Sequence, residues 1–328
     1  MSKNEVLRKA NKAKNDEFYT RLKDIEEELQ HYKQHFKDKV VYCNCDNPET
    51  SNFWKYFADN FEELELAGVV STHYVENGQS YFLMKYLDGL KKIDLKGNGD
   101  FRSQECIDIL KECDIIVTNP PFSLFRDYIG QLMEYDKKFL IIGNQNAIAY
   151  KEVFPLFKEN KIWLGYNSVK SFLEPDGNIK SFGNVRWFTN LEVDRKNEPL
   201  RLNKKYCRKN YPSYDNYKAI NVDRVKDIPC DYYGVMGVPI SFMDKYCPEQ
   251  FDIVGLTSGR YDFECCPTIE YVNPVQINPD KTKTNGSKAN TGAMIKIDSL
   301  PKDKVIYTAD NIAYYLTRCY TRILIKRK

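Results

Sequence analysis

The feature that most constrains the fold is a regular alternation of short apolar runs with helical patterns over residues 40–165. The apolar runs have the length of buried strands, and the segments between them carry apolar residues at helical spacing. Strands that alternate with helices form a parallel sheet with helices on both faces. The predicted strands are Val40–Cys45, Ala67–Thr72, Ile93–Phe101, Asp114–Thr118, Lys138–Gly143 and Ile162–Gly165. In such a sheet ligands bind beyond the carboxyl ends of the strands, so a ligand site is expected there.

The intervening segments are predicted to be helices. They are Ser51–Phe61, which an N-cap serine opens, then Tyr81–Gly89, Ser103–Glu112, Leu124–Tyr135 and Lys151–Lys158. The charged residues 1–38 are predicted to be helical, with apolar spacing over Thr20–Phe36. Asn184–Leu191 is predicted to form an antiparallel hairpin that closes the sheet. The alternation ends there, so we expect one domain over 1–191 and a second over 192–328.

Charge distribution says more than net charge, because a formal net charge of +3 does not identify a nucleic-acid partner. The stretch Arg195–Lys209 holds seven Lys or Arg residues against one acid, with Tyr206 and Tyr211 nearby. The candidate DNA-binding residues are Arg195, Lys196, Arg201, Lys204, Lys205, Arg208 and Lys209. A polar stretch over Asn278–Gly292, predicted to be a flexible loop, adds Lys281, Lys283 and Lys288. The alternative is that these residues form a solvated basic face.

Composition favours a protein without a membrane span or a metal. No apolar run is long enough to span a bilayer, and the N-terminus lacks the apolar core of a signal peptide, so we expect a cytoplasmic protein. The ten cysteines form no CxxC pair, and the three histidines do not lie beside cysteines at zinc spacing. His31 and His35, four residues apart, would supply at most half a metal site. We therefore expect reduced, mostly buried thiols and no metal. We also expect a monomer or weak dimer.

The strongest chemical signal follows the strand Asp114–Thr118. Asn119-Pro120-Pro121-Phe122 begins at its carboxyl end, and two prolines fix the backbone there. An amine on an aromatic ring is a poor nucleophile until acceptors engage its hydrogens. The side-chain oxygen of Asn119 and the carbonyl of Pro120 are two such acceptors, and Phe122 can stack on the ring. The alternative is an Asn-Pro-Pro turn with no such role.

Asn119–Phe122 resembles the catalytic motif of amino-methyltransferases, in the form typical of the adenine-N6 branch. Further stretches resemble the EcoRI-type adenine-specific methyltransferase family, and the resemblance covers roughly residues 15–190, with the carboxyl-terminal third matching more loosely. These stretches are Asn15–Thr20, Val40–Pro48, Ser51–Phe57, Gly99–Phe101 and Asn119–Asn144. One departure is that the loop Asn44–Thr50 lacks the glycine-rich turn common in cofactor-binding sheets.

The resemblance implies a Rossmann-like α/β methyltransferase sheet with a smaller carboxyl-terminal DNA-recognition lobe. It implies site-specific transfer of a methyl group from S-adenosylmethionine to the N6 amine of a flipped adenine in double-stranded DNA, leaving S-adenosylhomocysteine. It also implies a restriction-modification or related DNA-marking system, in which a cognate endonuclease would be a genetic rather than a physical partner. The implied cofactor-binding residues are Tyr19, Thr20, Asp46, Pro48, Glu76, Asp100, Phe101 and Asn119.

Six of these positions have an expected role in cofactor binding. Asp46, after the first strand, would accept from the cofactor's ammonium or ribose. Asp100 and Phe101, after the third strand, would accept from and pack on the cofactor's adenine. Glu76 lies slightly late for a ribose ligand, and Tyr19 with Thr20 would close over the methionine end.

Two other functions remain open. The first is an Asn-Pro-Pro methyltransferase that acts on RNA or on a protein glutamine, although a peptide substrate does not require the large region after residue 191. The second is a nucleic-acid-binding protein with an inactive methyltransferase fold, which the intact Asn119–Phe122 motif disfavours.

Overall fold

The computed structural model describes residues 19–173, 178–258, 263–297, 301 and 303–328. The chain divides into two compact units, Met1–Val193 and Asp194–Lys328. What each unit does stays a prediction. No helix in the described ranges is long and apolar enough to cross a membrane.

The first unit contains nine strands and six α-helices among its described residues. The strands are β1 (Tyr19–Thr20), β2 (Val40–Cys43), β3 (Gly68–Thr72), β4 (Tyr81–Tyr86), β5 (Gly89–Asp94), β6 (Ile115–Thr118), β7 (Lys138–Asn144), β8 (Trp163–Leu173) and β9 (Ile179–Thr189). The helices are α1 (Leu22–Leu29), α2 (Lys33–Phe36), α3 (Asn52–Asp59), α4 (Gln104–Glu112), α5 (Phe125–Glu134) and α6 (Phe154–Lys158). Two 3-10 helices, Phe122–Leu124 and Gln145–Ala149, follow β6 and β7.

The nine strands form one sheet in the order β1-β8-β9-β7-β6-β2-β3-β4-β5. β7, β6, β2 and β3 are parallel, and the strands on either side of them pair antiparallel. The predicted α/β class is confirmed at this level, as a mixed sheet with several helices. Because parallel strands end at the same edge, the residues that follow β2, β3, β6 and β7 lie along one edge of the sheet.

Helices pack on both faces of this sheet. Alternate strand residues on one face share a buried cluster with α1 and α3, which includes Val41, Val117, Ile142, Leu29 and Phe53. On the other face Phe188 of β9 contacts Phe125 of α5 and Phe157 of α6, with ring centroids 5.1 and 6.0 Å apart. Successive strand residues point to opposite faces of the sheet. Because helices cover both faces, the strands are apolar at nearly every position.

A buried carboxylate fastens α1 to β8. Glu28 accepts the backbone N–H groups of Tyr166 and Asn167, both at 2.7 Å, and the hydroxyl of Tyr32 at 2.9 Å. These bonds lie where the pairing of β8 with β9 shifts register. Burial raises the pKa of the Glu28 carboxyl, against these hydrogen bonds. Because α1 follows β1 directly, the contact also fixes the end of β1 at the sheet.

The predicted helix Tyr81–Gly89 is wrong. These residues form β4 and the turn into β5, where Gly89 has a φ of +124° that favours glycine. The predicted strand Ile93–Phe101 is wrong in place and direction, because β5 is the antiparallel outer arm of this hairpin. All six residues of β5 are exposed, among them Lys91 and Lys92.

Two more segments differ from the predictions. Within residues 1–38, the first eighteen lie outside the described residues, and the remainder holds β1, α1 and α2. The strand predicted at Ile162–Gly165 extends through β8 to Leu173, and it pairs with β9 as a long hairpin.

The second unit is built mainly from short strands. One sheet has the order β10-β11-β18-β12 and another the order β14-β13-β16-β17-β15. The strands are β10 (Ile220–Asn221), β11 (Met236–Pro239), β12 (Phe251–Leu256), β13 (Val275–Ile277), β14 (Lys283–Asn285), β15 (Met294–Ile297), β16 (Ile306–Thr308), β17 (Tyr315–Arg318) and β18 (Arg322–Arg327). The stretch around Lys281–Lys288, predicted as a flexible loop, holds β14 and the start of the 3-10 helix Ser287–Thr291.

Candidate active site

The predicted catalytic turn lies at the carboxyl edge of the parallel strands. β6 ends at Thr118, so Asn119 is the first residue beyond the sheet. Thr118 pairs with Ile141 of β7, and β7 continues to Asn144. Three further residues extend a strand by about 10 Å, so the end of β7 flanks the turn.

The turn itself is compact. Pro120 is buried, whereas Asn119 and Pro121 are partly buried. The Pro121 carbonyl accepts the Leu124 N–H at 3.0 Å and thereby opens the 3-10 helix that follows. Because proline has no N–H and a fixed φ, the turn has little freedom to rearrange.

The ring of Phe122 packs against β8. It is 7% exposed and belongs to the buried cluster of the first face. Its ring meets the edge of Phe172 with centroids 6.3 Å apart. Little of the residue is therefore accessible, and the role of Phe122 in stacking on a base stays a prediction.

Asp46 connects the loop after β2 to the catalytic turn. Its carboxylate accepts the hydroxyl of Ser51 at 2.8 Å, the hydroxyl of Thr118 and the backbone N–H of Asn119. Its backbone carbonyl accepts the Ser71 hydroxyl of β3 at 2.6 Å. One residue therefore joins the ends of β2, β3 and β6 and the first turn of α3.

The surroundings of Asp46 raise its pKa. Burial raises the pKa of the carboxyl from 3.8 to about 6, although the donors Thr118, Ser51 and Asn119 act in the opposite direction. A carboxylate offers about four acceptor positions, and three donors occupy roughly three of them. About one position is left for a further donor such as an ammonium group.

β1 lies beside this loop. The side-chain amide of Asn52, next to Ser51, donates to the Thr20 carbonyl at 2.8 Å. Thr20 is 4% exposed, and its Oγ1 is buried with no hydrogen-bond partner among the residues that the structure describes. Pro48 is buried in the same loop as Asp46, and Tyr19 is partly buried beside Thr20. Among the predicted cofactor residues, Asp46 thus contacts the catalytic turn directly, and Thr20 contacts Asn52, which follows the Asp46 donor Ser51.

Asn44, which the sequence did not single out, directly follows β2, and its side chain lies on the face of the sheet that α5 covers. It is 2% exposed, and its Oδ1 accepts the Tyr128 hydroxyl of α5. Within the described ranges its Nδ2 is buried without a partner. The Tyr128 ring also meets Phe101 edge to face at 5.0 Å. Asn44 and Phe101 therefore lie close to the same side chain.

Asp100 is reached differently from the expectation, since no third parallel strand precedes it. The turn before it folds back at Gly99, whose φ is +78° and where a Cβ would overlap the His73 carbonyl. The Asp100 carboxylate accepts the Arg102 guanidinium at 2.9 and 2.6 Å and the Arg102 N–H at 2.8 Å. This partner holds the pKa of Asp100 below its usual range.

Glu76 is exposed in the loop after β3. The neighbouring Val75 N–H donates to the Asn98 carbonyl at 2.9 Å, which places this loop beside the one that carries Asp100. Its ribose-binding role stays a prediction.

Ser51, Thr118 and Gln145 were not predicted as site residues. Ser51 is the N-cap that the sequence indicates, accepting the N–H of Phe53 at 3.0 Å, and its hydroxyl also donates to Asp46. Gln145 follows β7 and is 8% exposed, with a buried Nε2 that has no partner in the described part of the chain. The position of each after a strand or before a helix was its only sequence signal.

The thiols of Cys43, at the end of β2, and of Cys45, in the loop that follows, are not reactive at neutral pH. The ten cysteines are all free. Burial raises the pKa of Cys43 and of Cys45 well above the usual value, so both stay protonated at neutral pH. The described residues include no group of three or more His, Cys, Asp or Glu arranged to hold a metal ion.

The basic stretch belongs to the second unit. Five of the predicted DNA-binding side chains are exposed, namely Arg201, Lys204, Lys205, Arg208 and Lys209. Lys196 is partly buried, and the side chain of Arg195 lies outside what the structure describes. Tyr206 stacks on Tyr211 with ring centroids 5.8 Å apart, and its ring is tilted against that of Tyr232, with centroids 4.6 Å apart. Cations and aromatic rings thus share one segment.

Known proteins resemble this chain over most of its length. The family described as "Adenine-specific methyltransferase EcoRI" matches residues 6–86 and 83–328. The Type II methyltransferase M.EcoRI of Escherichia coli is 50% identical over 294 residues, covering 78% of this chain and 90% of the relative. M.MgeORF184P of Mycoplasma genitalium, also a Type II methyltransferase, is 37% identical over 312 residues, covering 88% and 97%.

A third relative, the Type II methyltransferase M.MpnI of Mycoplasma pneumoniae, is 38% identical over 274 residues, covering 77% of this chain and 86% of its own. No solved structure matches. The family match spans nearly the whole chain and includes both units, and the resemblance inferred from Asn119–Phe122 is confirmed. The chain belongs to the EcoRI-type family of adenine-specific methyltransferases.

Proposed function

We propose that this chain transfers a methyl group from S-adenosylmethionine to the N6 amine of an adenine flipped out of double-stranded DNA, at a specific site. The observation that carries the proposal is the rigid Asn119–Phe122 turn at the tip of β6, tied through Asp46 to the loop after β2. The names of the relatives, all Type II methyltransferases, support the same activity and a restriction-modification or related system. They do not favour RNA or a protein glutamine as substrate.

We propose further that the first unit is a Rossmann-like cofactor-binding domain and the second a DNA-recognition lobe. The parallel run β7-β6-β2-β3 supports the first assignment, since ligands of such sheets bind at the carboxyl edge. The exposed cations and stacked tyrosines of residues 201–232 support the second.

The residues at the edge fit S-adenosylmethionine. Thr20 Oγ1 and Asn44 Nδ2 are buried polar atoms without partners in the described ranges, and such atoms are rare unless a ligand or water satisfies them. The remaining acceptor position of Asp46 suits the ammonium group, while Phe101 and Asp100 suit the adenine. When bound, S-adenosylmethionine supplies a methyl group activated by a positively charged sulfur.

The chain's own residues then prepare the attacking amine. The Asn119 side-chain oxygen and the Pro120 carbonyl accept its two hydrogens, which keeps the nitrogen lone pair from delocalising into the ring. Asp46 holds the Asn119 backbone N–H, so the acceptor stays in place. The surplus proton leaves the nitrogen after the new carbon–nitrogen bond forms, and no strong base is required beforehand.

Incubation with radiolabelled S-adenosylmethionine tests the substrate class. We expect label in unmodified duplex DNA, recovered as N6-methyladenine after digestion, and background label in bulk RNA and protein. DNA already modified by the enzyme serves as the control, because its sites are filled. Label confined to RNA or protein would contradict the proposal.

Replacing Lys204, Lys205 and Arg208 together with alanine tests the DNA-binding segment. Each phosphate contact releases about 0.9 counterion on B-DNA, so losing three contacts should lower the slope of log affinity against log salt by about 2.7. Fluorescence anisotropy with a duplex at several salt concentrations measures this slope. The matched control replaces Lys39, Lys111 and Lys138, exposed lysines near the amino ends of β2, β6 and β7. Equal slopes in the two triple variants would remove the segment from the interface.

A further inference from the structure

Tyr320 is the most exposed aromatic side chain among the described residues. Its exposed fraction is 86%, against 61% for Tyr233 and 48% for Tyr74. It lies in the short link between β17 and β18, which belong to different sheets of the second unit. A large ring that stays exposed to water adds no free energy of apolar burial to the stability of the fold. The stability of the second unit therefore does not explain why an aromatic residue stands at position 320.

The backbone on both sides of Tyr320 is anchored. The Cys319 N–H donates to the Ala293 carbonyl at 2.9 Å, and the Arg322 N–H donates to the Thr257 hydroxyl at 2.8 Å. The Thr257 N–H in turn donates to the Arg322 carbonyl at 2.9 Å. The link is therefore held by the residue after β12 on one side and by the residue before β15 on the other.

The side chain of Arg322 also holds the backbone of Tyr320 in place. Its side chain is 11% exposed, and its guanidinium donates to the Tyr320 carbonyl at 3.5 Å and to Asn221 Oδ1 at 3.2 Å. A side chain displayed from a backbone fixed in this way loses less conformational entropy on binding than one displayed from a mobile loop.

A second cation, Arg318, precedes Tyr320 by two residues. Arg318 is exposed, and its guanidinium donates to the Thr291 carbonyl at 3.2 Å while it lies over Gly292. A Cβ at residue 292 would meet this guanidinium, so the absence of a side chain there lets Arg318 lie flat. An exposed ring and an exposed guanidinium two residues apart match the two components of DNA, flat bases and charged phosphates.

We propose that Tyr320 inserts between bases of the bound duplex while Arg318 contacts the adjacent phosphate. The inference rests on the proposed function, in which an adenine must leave the base stack. Extrusion costs free energy because the base loses its stacking and pairing, and a ring that opens one base step and stacks in it offsets part of this cost. Tyrosine suits this position because it has a broad face and few rotatable bonds.

The test compares Tyr320→Ala, Tyr320→Trp and the wild-type enzyme on a duplex with 2-aminopurine at the target adenine. Sequencing for N6-methyladenine in DNA from cells that express the enzyme identifies the target. Alanine substitution of a base-stacking aromatic costs about 1–3 kcal/mol, which predicts about a 5- to 150-fold loss of affinity. The 2-aminopurine fluorescence at saturating enzyme should fall with it, and Tyr320→Trp should restore both.

The salt dependence separates stacking from charge. Tyr320 carries no charge, so its replacement should leave the salt slope of binding unchanged, whereas Arg318→Ala should reduce it by about 0.9. Leu87→Ala is the control of matched exposure, since Leu87 is 88% exposed in the first unit. Fluorescence and affinity equal to wild type in Tyr320→Ala would overturn the inference. Absence of methyl transfer by the wild-type enzyme would instead overturn the proposed function.

Discussion

Replacement of Asn119 by alanine is expected to lower the rate of methyl transfer by about 10²- to 10⁴-fold, the range seen when a positioned acceptor in a transition state is lost. S-adenosylmethionine affinity should stay close to that of the wild type, because the backbone N–H that Asp46 accepts remains in the variant. Single-turnover transfer to duplex DNA measures the rate, and calorimetric titration measures cofactor binding.

Two further variants make this result interpretable. Asn119→Asp keeps acceptor oxygens at the same place and should retain more transfer than Asn119→Ala. Asn60→Ala is the matched control, because the Asn60 side chain donates to the Tyr56 carbonyl at the end of α3, away from the catalytic turn. If Asn119→Ala fails to fold while Asn60→Ala folds, Asn119 is structural and the catalytic assignment is wrong.

Replacement of Asp46 by asparagine should lower kcat more than it raises the KM for S-adenosylmethionine. An amide has one acceptor oxygen in place of two, and its NH₂ group would face at least one of the donors Ser51, Thr118 and the Asn119 N–H. A buried donor left unpaired costs about 1–3 kcal/mol, so we expect roughly a 5- to 150-fold fall in kcat. A change confined to KM would mean that Asp46 acts only as a cofactor ligand.

The raised pKa of Asp46 gives this prediction a second measurement. Its folded-state pKa of about 6 exceeds the usual 3.8, so the native state binds the proton more tightly than the unfolded chain does. The stability that this group contributes is fully present below pH 3.8 and is lost as the pH rises through about 6. Activity should change in the opposite direction, because the ionised carboxylate is the acceptor. We expect kcat/KM to fall below pH 6 and Asp46→Asn to lack this acid limb.

Thr118→Val separates Asp46 from other groups that titrate near pH 6. The valine has nearly the shape of threonine but donates no hydrogen bond, and the Thr118 hydroxyl lowers the Asp46 pKa. The acid limb should therefore move to higher pH in Thr118→Val. A limb that stays in place would assign it to another residue.

The sequence indicated the parallel core correctly because its strands are buried on both faces and read as continuous apolar runs. The error at Tyr81–Gly89 has a physical cause, since a short apolar run fits a helix or a strand equally well. The Asp88-Gly89 pair is typical of a hairpin turn, because glycine adopts the positive φ that Gly89 has here.

The candidate site could be predicted only in part. Asn119 and Asp46 follow apolar strands, so their position at the sheet edge was accessible from the sequence. Their connection was not, because Asp46 and Thr118 are 72 residues apart and meet only through the adjacency of β2 and β6. The pairing of Asp100 with Arg102 is local, and the spacing of two residues could have indicated it.

The sequence of β5, the exposed outer strand of the large sheet, affects whether two copies of the chain can associate through their sheets. A bare strand edge offers unpaired N–H and C=O groups to any second strand. If two copies joined antiparallel through β5 about a two-fold axis centred on Lys91, on Lys92 or between them, one lysine would face another in every case. Repulsion between these ammonium groups opposes such growth of the sheet, so the pair of lysines discourages self-association at a strand whose outer edge pairs with no other described strand.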